Sequence, residues 1–252
     1  MLGKTAVYLL SRPDQAESFK KEHQLLTTFK HPNILKAVGE VTSVNGYPSF
    51  RTEYHPGLCL RDRLHGDGLL PSYLLRLRWA RDICCALAYL HARATPVLHR
   101  DVKSTNVVVA EDGRAVLVDF GLAAMPNEGW ADYVCSIIGV GTYLWISPEG
   151  MGVLSDLIDH ARVTPASDVW SFGCLLLELF AHSRPWAALR PGAVMDDLVA
   201  NFKREMLPPE IELIEHRDVQ ELVRHCLQLD DKQRWTAADV LTHLEKLVQA
   251  EE

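Results

Sequence analysis

Four side chains between positions 101 and 119 are of the types that metal-assisted phosphate chemistry uses. Asp101 and Asp119 carry carboxylates, Asn106 an amide oxygen and Lys103 an ammonium. Hard oxygen donors hold Mg2+, and a lysine balances anionic phosphate oxygens. The spacing joins them. Val107-Val108-Val109 and Ala115-Val116-Leu117-Val118 are apolar runs either side of a turn at Glu111-Asp112-Gly113, which is a hairpin signal. Closing that hairpin brings the polar clusters at its outer ends, His99 to Asn106 and Asp119-Phe120-Gly121, to one end of a small unit.

The flanking chain has to position this unit. Residues 2–10 alternate as a strand does, and residues 15–30 carry Phe19, Leu25, Leu26 and Phe29 near helical spacing, with Asp14 as a cap. His31-Pro32-Asn33 stops that helix, because proline disfavours helical backbone in the residue before it. Strands are predicted near 35–42 and 48–54, joined at Asn45-Gly46. Glu53-Tyr54-His55-Pro56-Gly57 reads as a linker between lobes, dividing the chain into residues 1–56 and 57–252. Beyond it the pattern turns helical: 60–65, 74–91, a strongly apolar 168–181, then 193–206, 216–229 and 236–249. A loop of about thirty residues after Gly121 is of a length that usually carries function. Strands first and helices afterwards indicate an α+β class.

Composition bounds the rest. Hydrophobic residues make up 48% and charged residues 23%, an ordinary globular balance. A net charge of −7 argues against a basic nucleic-acid-binding surface. The six cysteines lack paired metal-site spacing and read as free thiols of a reducing compartment. No stretch has the length of a membrane span and the N-terminus lacks a signal-peptide layout, so the expected setting is cytoplasmic.

His99-Arg100-Asp101-Val102-Lys103-Ser104-Thr105-Asn106 followed by Asp119-Phe120-Gly121 resembles the catalytic and metal loops of the protein kinase family. The resemblance runs from the first strand to the last helix. It implies a bilobal α+β fold with a small sheet lobe and a helical lobe, and ATP and Mg2+ as nucleotide and metal. Asp101 would accept or orient the substrate hydroxyl proton, Lys103 would contact the transferring phosphate, and Asn106 and Asp119 would hold the metal. Gly141-Thr142 through Ser147-Pro148-Glu149 resembles the family's peptide-docking segment, with Thr142 expected against Asp101 and Glu149 paired with Arg234. Trp145 stands where a tyrosine is more usual. The aspartate of Asp168-Val169-Trp170 would brace the catalytic loop, and His99 and Phe120 would pack together. Glu22 would be the helix glutamate of the small lobe and Thr52 its gatekeeper. Glu53, Tyr54 and His55 would meet adenine through their backbone, with Ala6 and Val108 sandwiching the base. Arg100 beside Asp101 resembles kinases ordered by a loop phosphate, for which Tyr133, Ser136, Thr142 and Tyr143 are the acceptors at hand.

The pattern breaks in the small lobe. Tyr8 falls where the family places a lysine that bridges the phosphates and the helix glutamate. A phenol carries no positive charge at neutral pH. Lys4 is four residues away, about 13 Å along a strand, and Lys20 and Lys21 lie on the neighbouring helix. No glycine-rich strand pair precedes the first strand in this chain, so the sheet lobe should be reduced. Gly150 to Ser167 is longer than the family spacer and reads as an insertion. Three readings follow. One is an ATP-dependent serine/threonine protein kinase acting on a protein substrate. Another is a pseudokinase or kinase fragment that binds a regulatory protein partner. The third is a different phosphotransferase with a kinase-like core.

Overall fold

The computed structural model describes residues 5–9, 16–66, 69–125, 142–154, 163–189 and 194–252. Its small lobe is an antiparallel sheet of β1 (Thr5–Leu9), β2 (Ala37–Val44) and β3 (Tyr47–Glu53), in the order β1-β3-β2. Asn45 and Gly46 both have positive φ, 52° and 83°, and Val44 faces Tyr47 across them. That is the two-residue hairpin turn whose twist matches the strands, and it needs left-handed backbone at both positions. Helix α1 (Ala16–Thr28) packs on the sheet through Phe19, whose ring lies 4.8 Å from that of the fully buried Phe50.

The large lobe holds the remaining helices: α2 (Leu60–His65), α3 (Tyr73–His91), α4 (Pro148–Leu154), α5 (Pro165–Phe180), α6 (Val194–Lys203), α7 (Arg217–Cys226) and α8 (Ala237–Glu251). Their starts are written in the sequence. Ser72 Oγ accepts the Leu75 N–H at the head of α3. Thr236 and Asp239 cap α8 reciprocally, Thr236 Oγ1 accepting Asp239 N–H and Asp239 Oδ2 accepting Thr236 N–H. Pro165 opens α5, where its missing N–H costs nothing.

Helix α5 is the axis of this lobe. From Ser167 to Phe180 every residue is buried, including Trp170, Phe172 and Leu175. A helix apolar on all sides stands inside a core rather than on it. The hairpin β4 (Val107–Val109) and β5 (Ala115–Leu117) forms as read, with Val108 opposite Val116.

Boundaries shift by one to three residues where caps decide them. At the far end of the predicted long loop stand a 3-10 turn at Thr142–Trp145 and α4, and α4 also takes up the start of the predicted insertion. Lys4, Asp14, Tyr133, Cys135, Ser136, Gly141 and residues 155–162 fall outside the described residues.

Candidate active site

The catalytic loop is held from behind by Asp168 on α5. Its Oδ2 accepts the His99 N–H at 2.9 Å and its Oδ1 the Arg100 N–H at 2.8 Å, while His91 Nε2 lies 2.9 Å from Oδ2. Burial alone would raise this carboxyl. The surrounding donors outweigh it, the His91 bond foremost, and keep Asp168 below the usual carboxylate range. Arg100 takes a left-handed φ of 66°, and Asp168 stabilises that turn by taking up the two freed amides. The Arg100 side chain donates from Nε to the Leu122 carbonyl, tying the catalytic loop to the residue after Asp119-Phe120-Gly121.

His99 is fully buried and its tautomer follows from its partners. Nδ1 accepts the Asp101 N–H at 3.3 Å, so Nε2 carries the proton and donates to the Val118 carbonyl at 3.0 Å. Its ring meets Phe120 edge-on at 4.7 Å, and Phe120 meets Phe29 at 5.4 Å.

The turn of the loop brings Asp101, Lys103 and Asn106 together. Asp101 Oδ2 accepts from Lys103 Nζ at 2.8 Å and from Asn106 Nδ2 at 2.7 Å. Asn106 Nδ2 also donates to the Asp101 carbonyl at 2.9 Å. With its nitrogen held there, the amide presents its oxygen elsewhere. Asp101 Oδ1 is buried and has no hydrogen-bond partner among the described residues. Leaving a buried carboxylate oxygen unpaired is costly, and such atoms mark places where another group docks.

Asp119 follows β5 with φ 62°, and its Oδ1 accepts the Gly121 N–H at 3.4 Å. Across the cleft, Glu22 Oε1 on α1 accepts the Phe120 N–H at 3.2 Å. Both carboxylates flank Gly121: a Cβ there would lie 3.4 Å from Asp119 Oδ1 and 3.7 Å from Glu22 Oε2. Burial, then the charge of Asp119, pushes the Glu22 carboxyl up to about 7. Tyr8 completes this end. Its ring stacks on Phe50 at 5.4 Å with an interplanar angle of 2°, and burial, then the charges of Glu22 and Asp119, raises its phenol. Lys20 and Lys21 are exposed on α1.

Beneath the sheet, Ala6 pairs with the buried Thr52, and Glu53 N–H donates to Lys36 O at 2.9 Å. His55 is half-buried on the segment leading to α2, and Val108 is half-buried on β4. Gly57 presses against that strand so closely that a Cβ would sit 1.8 Å from the Val109 carbonyl oxygen. Thr142 opens its 3-10 turn, but its side chain lies outside the described residues. Past it, Arg234 grips Glu149 with both terminal nitrogens, at 2.7 and 3.1 Å, and Ser167 Oγ donates to Glu149 at 2.8 Å. Burial would raise Glu149, but the Arg234 bonds hold it below the ordinary range.

Asp101, Lys103 and Asn106 are thus one bonded cluster, and Glu22 and Asp119 meet at Gly121. Among the described residues no group of three His, Cys, Asp or Glu side chains could hold a metal ion by itself. One carboxylate and one amide oxygen match Mg2+ that takes its other ligands from phosphate and water. Sequence reasoning missed Glu178. Its carboxylate on α5 bonds the catalytic loop and Trp145, and the signal was a lone acid inside the apolar run Cys174 to Phe180.

An α+β fold with a small antiparallel sheet, a buried central helix and this loop geometry defines a protein kinase domain. The chain belongs to that family, whose protein kinase domain pattern matches residues 4–244. Among curated relatives, it is 29% identical over 92% of its length to the probable serine/threonine-protein kinase SIS8 of Arabidopsis thaliana, and covers 21% of that protein. It is 30% identical to mitogen-activated protein kinase kinase kinase 5 of the same plant, covering 31% of it. It is 28% identical to the serine/threonine-protein kinase WNK4 of Rattus norvegicus, covering 18%. The chain therefore spans under a third of the length of each of these relatives. No helix among the described residues is long and apolar enough to cross a membrane.

Proposed function

We propose that this chain transfers the γ-phosphoryl group of ATP to a serine or threonine hydroxyl of a protein, with residues 1–56 and 57–252 as the two lobes of the cleft. The observation that carries the reading is the Asp101 carboxylate. Lys103 and Asn106 hold one of its oxygens, and the other is buried without a partner among the described residues. That second oxygen has the position and free lone pairs to accept a hydroxyl proton. Lys103, two residues on, places an ammonium where transferring phosphate oxygens need charge. Asn106 and Asp119 supply the oxygens for Mg2+, which when bound would neutralise charge on the phosphates. Thr52, Ala6 and Val108 bound the base, with Glu53 and His55 offering backbone groups, and Thr142 would orient the hydroxyl beside Asp101. The test is transfer of labelled phosphate from Mg-ATP to a generic protein substrate, with Asp101→Asn as control. Transfer no greater than that of the control rejects the reading for this chain.

A second reading, a kinase fold that binds rather than transfers, rests on Tyr8. Glu22 and Asp119 face each other with a phenol where the family places a cation, and two carboxylates without that charge are poorly suited to anionic phosphates. Turnover abolished by Asp119→Ala would rule it out.

A further inference from the structure

Helix α5 ends at Phe180, and two residues on His182 takes a left-handed φ of 53°. Glycine is the usual occupant of that place after a helix, because a Cβ is strained there. Such strain persists where the surroundings hold the side chain. What holds His182 is Arg76 on α3. Arg76 Nη1 donates to His182 Nε2 at 2.9 Å and to the Leu179 carbonyl at 3.0 Å. A guanidinium has hydrogens to give and no lone pair to accept with, so Nε2 is the acceptor, and His182 is neutral with its proton on Nδ1.

Arg76 is 9% exposed, its guanidinium lies 5.4 Å from the centre of the Phe180 ring, and its Nε is buried without a hydrogen-bond partner among the described residues. His182 is exposed, so an open imidazole covers a buried cation. Tyr73, at the head of α3, meets the Phe180 ring at 5.9 Å and stacks on His216 at 3.6 Å. The charged groups around the imidazole come from three directions: His65 at the end of α2, Arg76 on α3, and Glu215 just before α7. Burial first, then Arg76 and His65, hold His182 below its ordinary value of 6.5, and Glu215 pulls the other way. Tyr73 and Glu215 face Arg76 in turn.

We propose that the His182–Arg76 bond is an acid-released latch on the seam between α3 and the end of α5, and that a proton on His182 opens the seam and bares the Phe180 and Tyr73 rings. A protonated ring has no lone pair for Nη1, and it sets a second cation 2.9 Å from the first. The exposed imidazole then turns out to water, and Arg76 Nη1 keeps the Leu179 carbonyl alone. Because the folded value is lowered, the latch is shut at neutral pH and is lost as pH falls through that value. It needs neither nucleotide nor metal, so it stands apart from the kinase reading.

The test is amide exchange of the full chain at about pH 7.5 and about pH 5.5, either side of the ordinary histidine range. Exchange is read as protection relative to unstructured peptide at each pH, in segments 73–77 and 177–183. The wild type is expected to lose roughly twofold to tenfold of its protection in both segments in acid, the scale of one net hydrogen bond. His182→Asn supplies an acceptor that does not titrate and tolerates left-handed backbone, so its protection should be the same at both pH values. His182→Gly should show low protection at both. In Arg76→Met the midpoint of the His182 proton titration, followed by NMR, should move up. If that variant does not fold, His182→Asn still decides. Protection that falls equally in wild type and His182→Asn, or falls in neither, overturns the proposal.

Discussion

Glu22 accepts the backbone N–H of Phe120 at 3.2 Å, which ties α1 to the loop carrying Asp119 through a carboxyl raised to about 7. In the family pattern a lysine would share this carboxylate; here Tyr8 lies beside it, and the charge that raises it is that of a second acid, Asp119.

The stability of the metal-free protein should therefore depend on pH through Glu22. Its ordinary value of 4.5 describes the unfolded chain, and about 7 describes the folded one. Between the two, the folded state keeps a proton that the unfolded state has lost, so this contribution falls as pH rises and is fully lost once pH passes the folded value. Glu22→Gln keeps an acceptor for Phe120 and removes the titration. Melting curves in EDTA from about pH 5 to pH 8 should fall less steeply for the variant than for wild type. Parallel curves would show that Glu22 ionises normally.

Tyr8→Lys should supply the missing charge. An ammonium beside Glu22 would lower its carboxyl and offer a partner to phosphate. Mg-ATP affinity should rise by roughly tenfold or more, on the scale of a charge-assisted bond. Loss of the Tyr8–Phe50 stack should cost about 0.5–1.5 kcal/mol of stability. Thermal shift with and without nucleotide separates the two effects, since a ligand of the folded state raises the melting temperature only when present.

Arg234 is wholly buried against a Glu149 side chain 16% exposed. Arg234→Ala should destabilise by about 3–5 kcal/mol, because it strands a buried carboxylate. Adding Glu149→Gln should recover part of that loss. The lowered Glu149 value adds a sign in acid: stability from this pair is present above the ordinary carboxylate range and lost as pH falls below it. Denaturant midpoints at neutral and acid pH check both.

Gly57→Ala should open the linker. The added Cβ would lie 1.8 Å from Val109 O, backbone that cannot yield locally. The segment joining β3 to α2 must move off β4, at a cost of about 1–3 kcal/mol typical of overpacking. Nucleotide affinity should fall with stability, because Val108 lies on the same strand. An unchanged melting temperature would show that the linker adjusts freely.

Local patterning carried much of the fold. Alternation marked β1, the Asn45-Gly46 turn announced its hairpin, and Thr236 with Asp239 marked the start of α8. The loop motif placed Asp101, Lys103 and Asn106 together, and the Glu149–Arg234 pair and the Asp168 brace are present. Helix α4 and the 3-10 turns were not legible. They are too short for periodicity to register, and tertiary contacts hold them.

What the chain order decided by itself is which chemical groups exist and which neighbours each can reach within a turn or a hairpin. That suffices for Asp101 and Asn106, five residues apart. The three-dimensional packing alone decided that Glu178 joins Ser104 to Trp145, that burial and the charge of Asp119 raise Glu22 beside Gly121, and that Asp101 Oδ1 is left unpaired among the described residues. Burial and charge proximity belong to residues distant in sequence, and they arise only when helices and sheet exclude water between them.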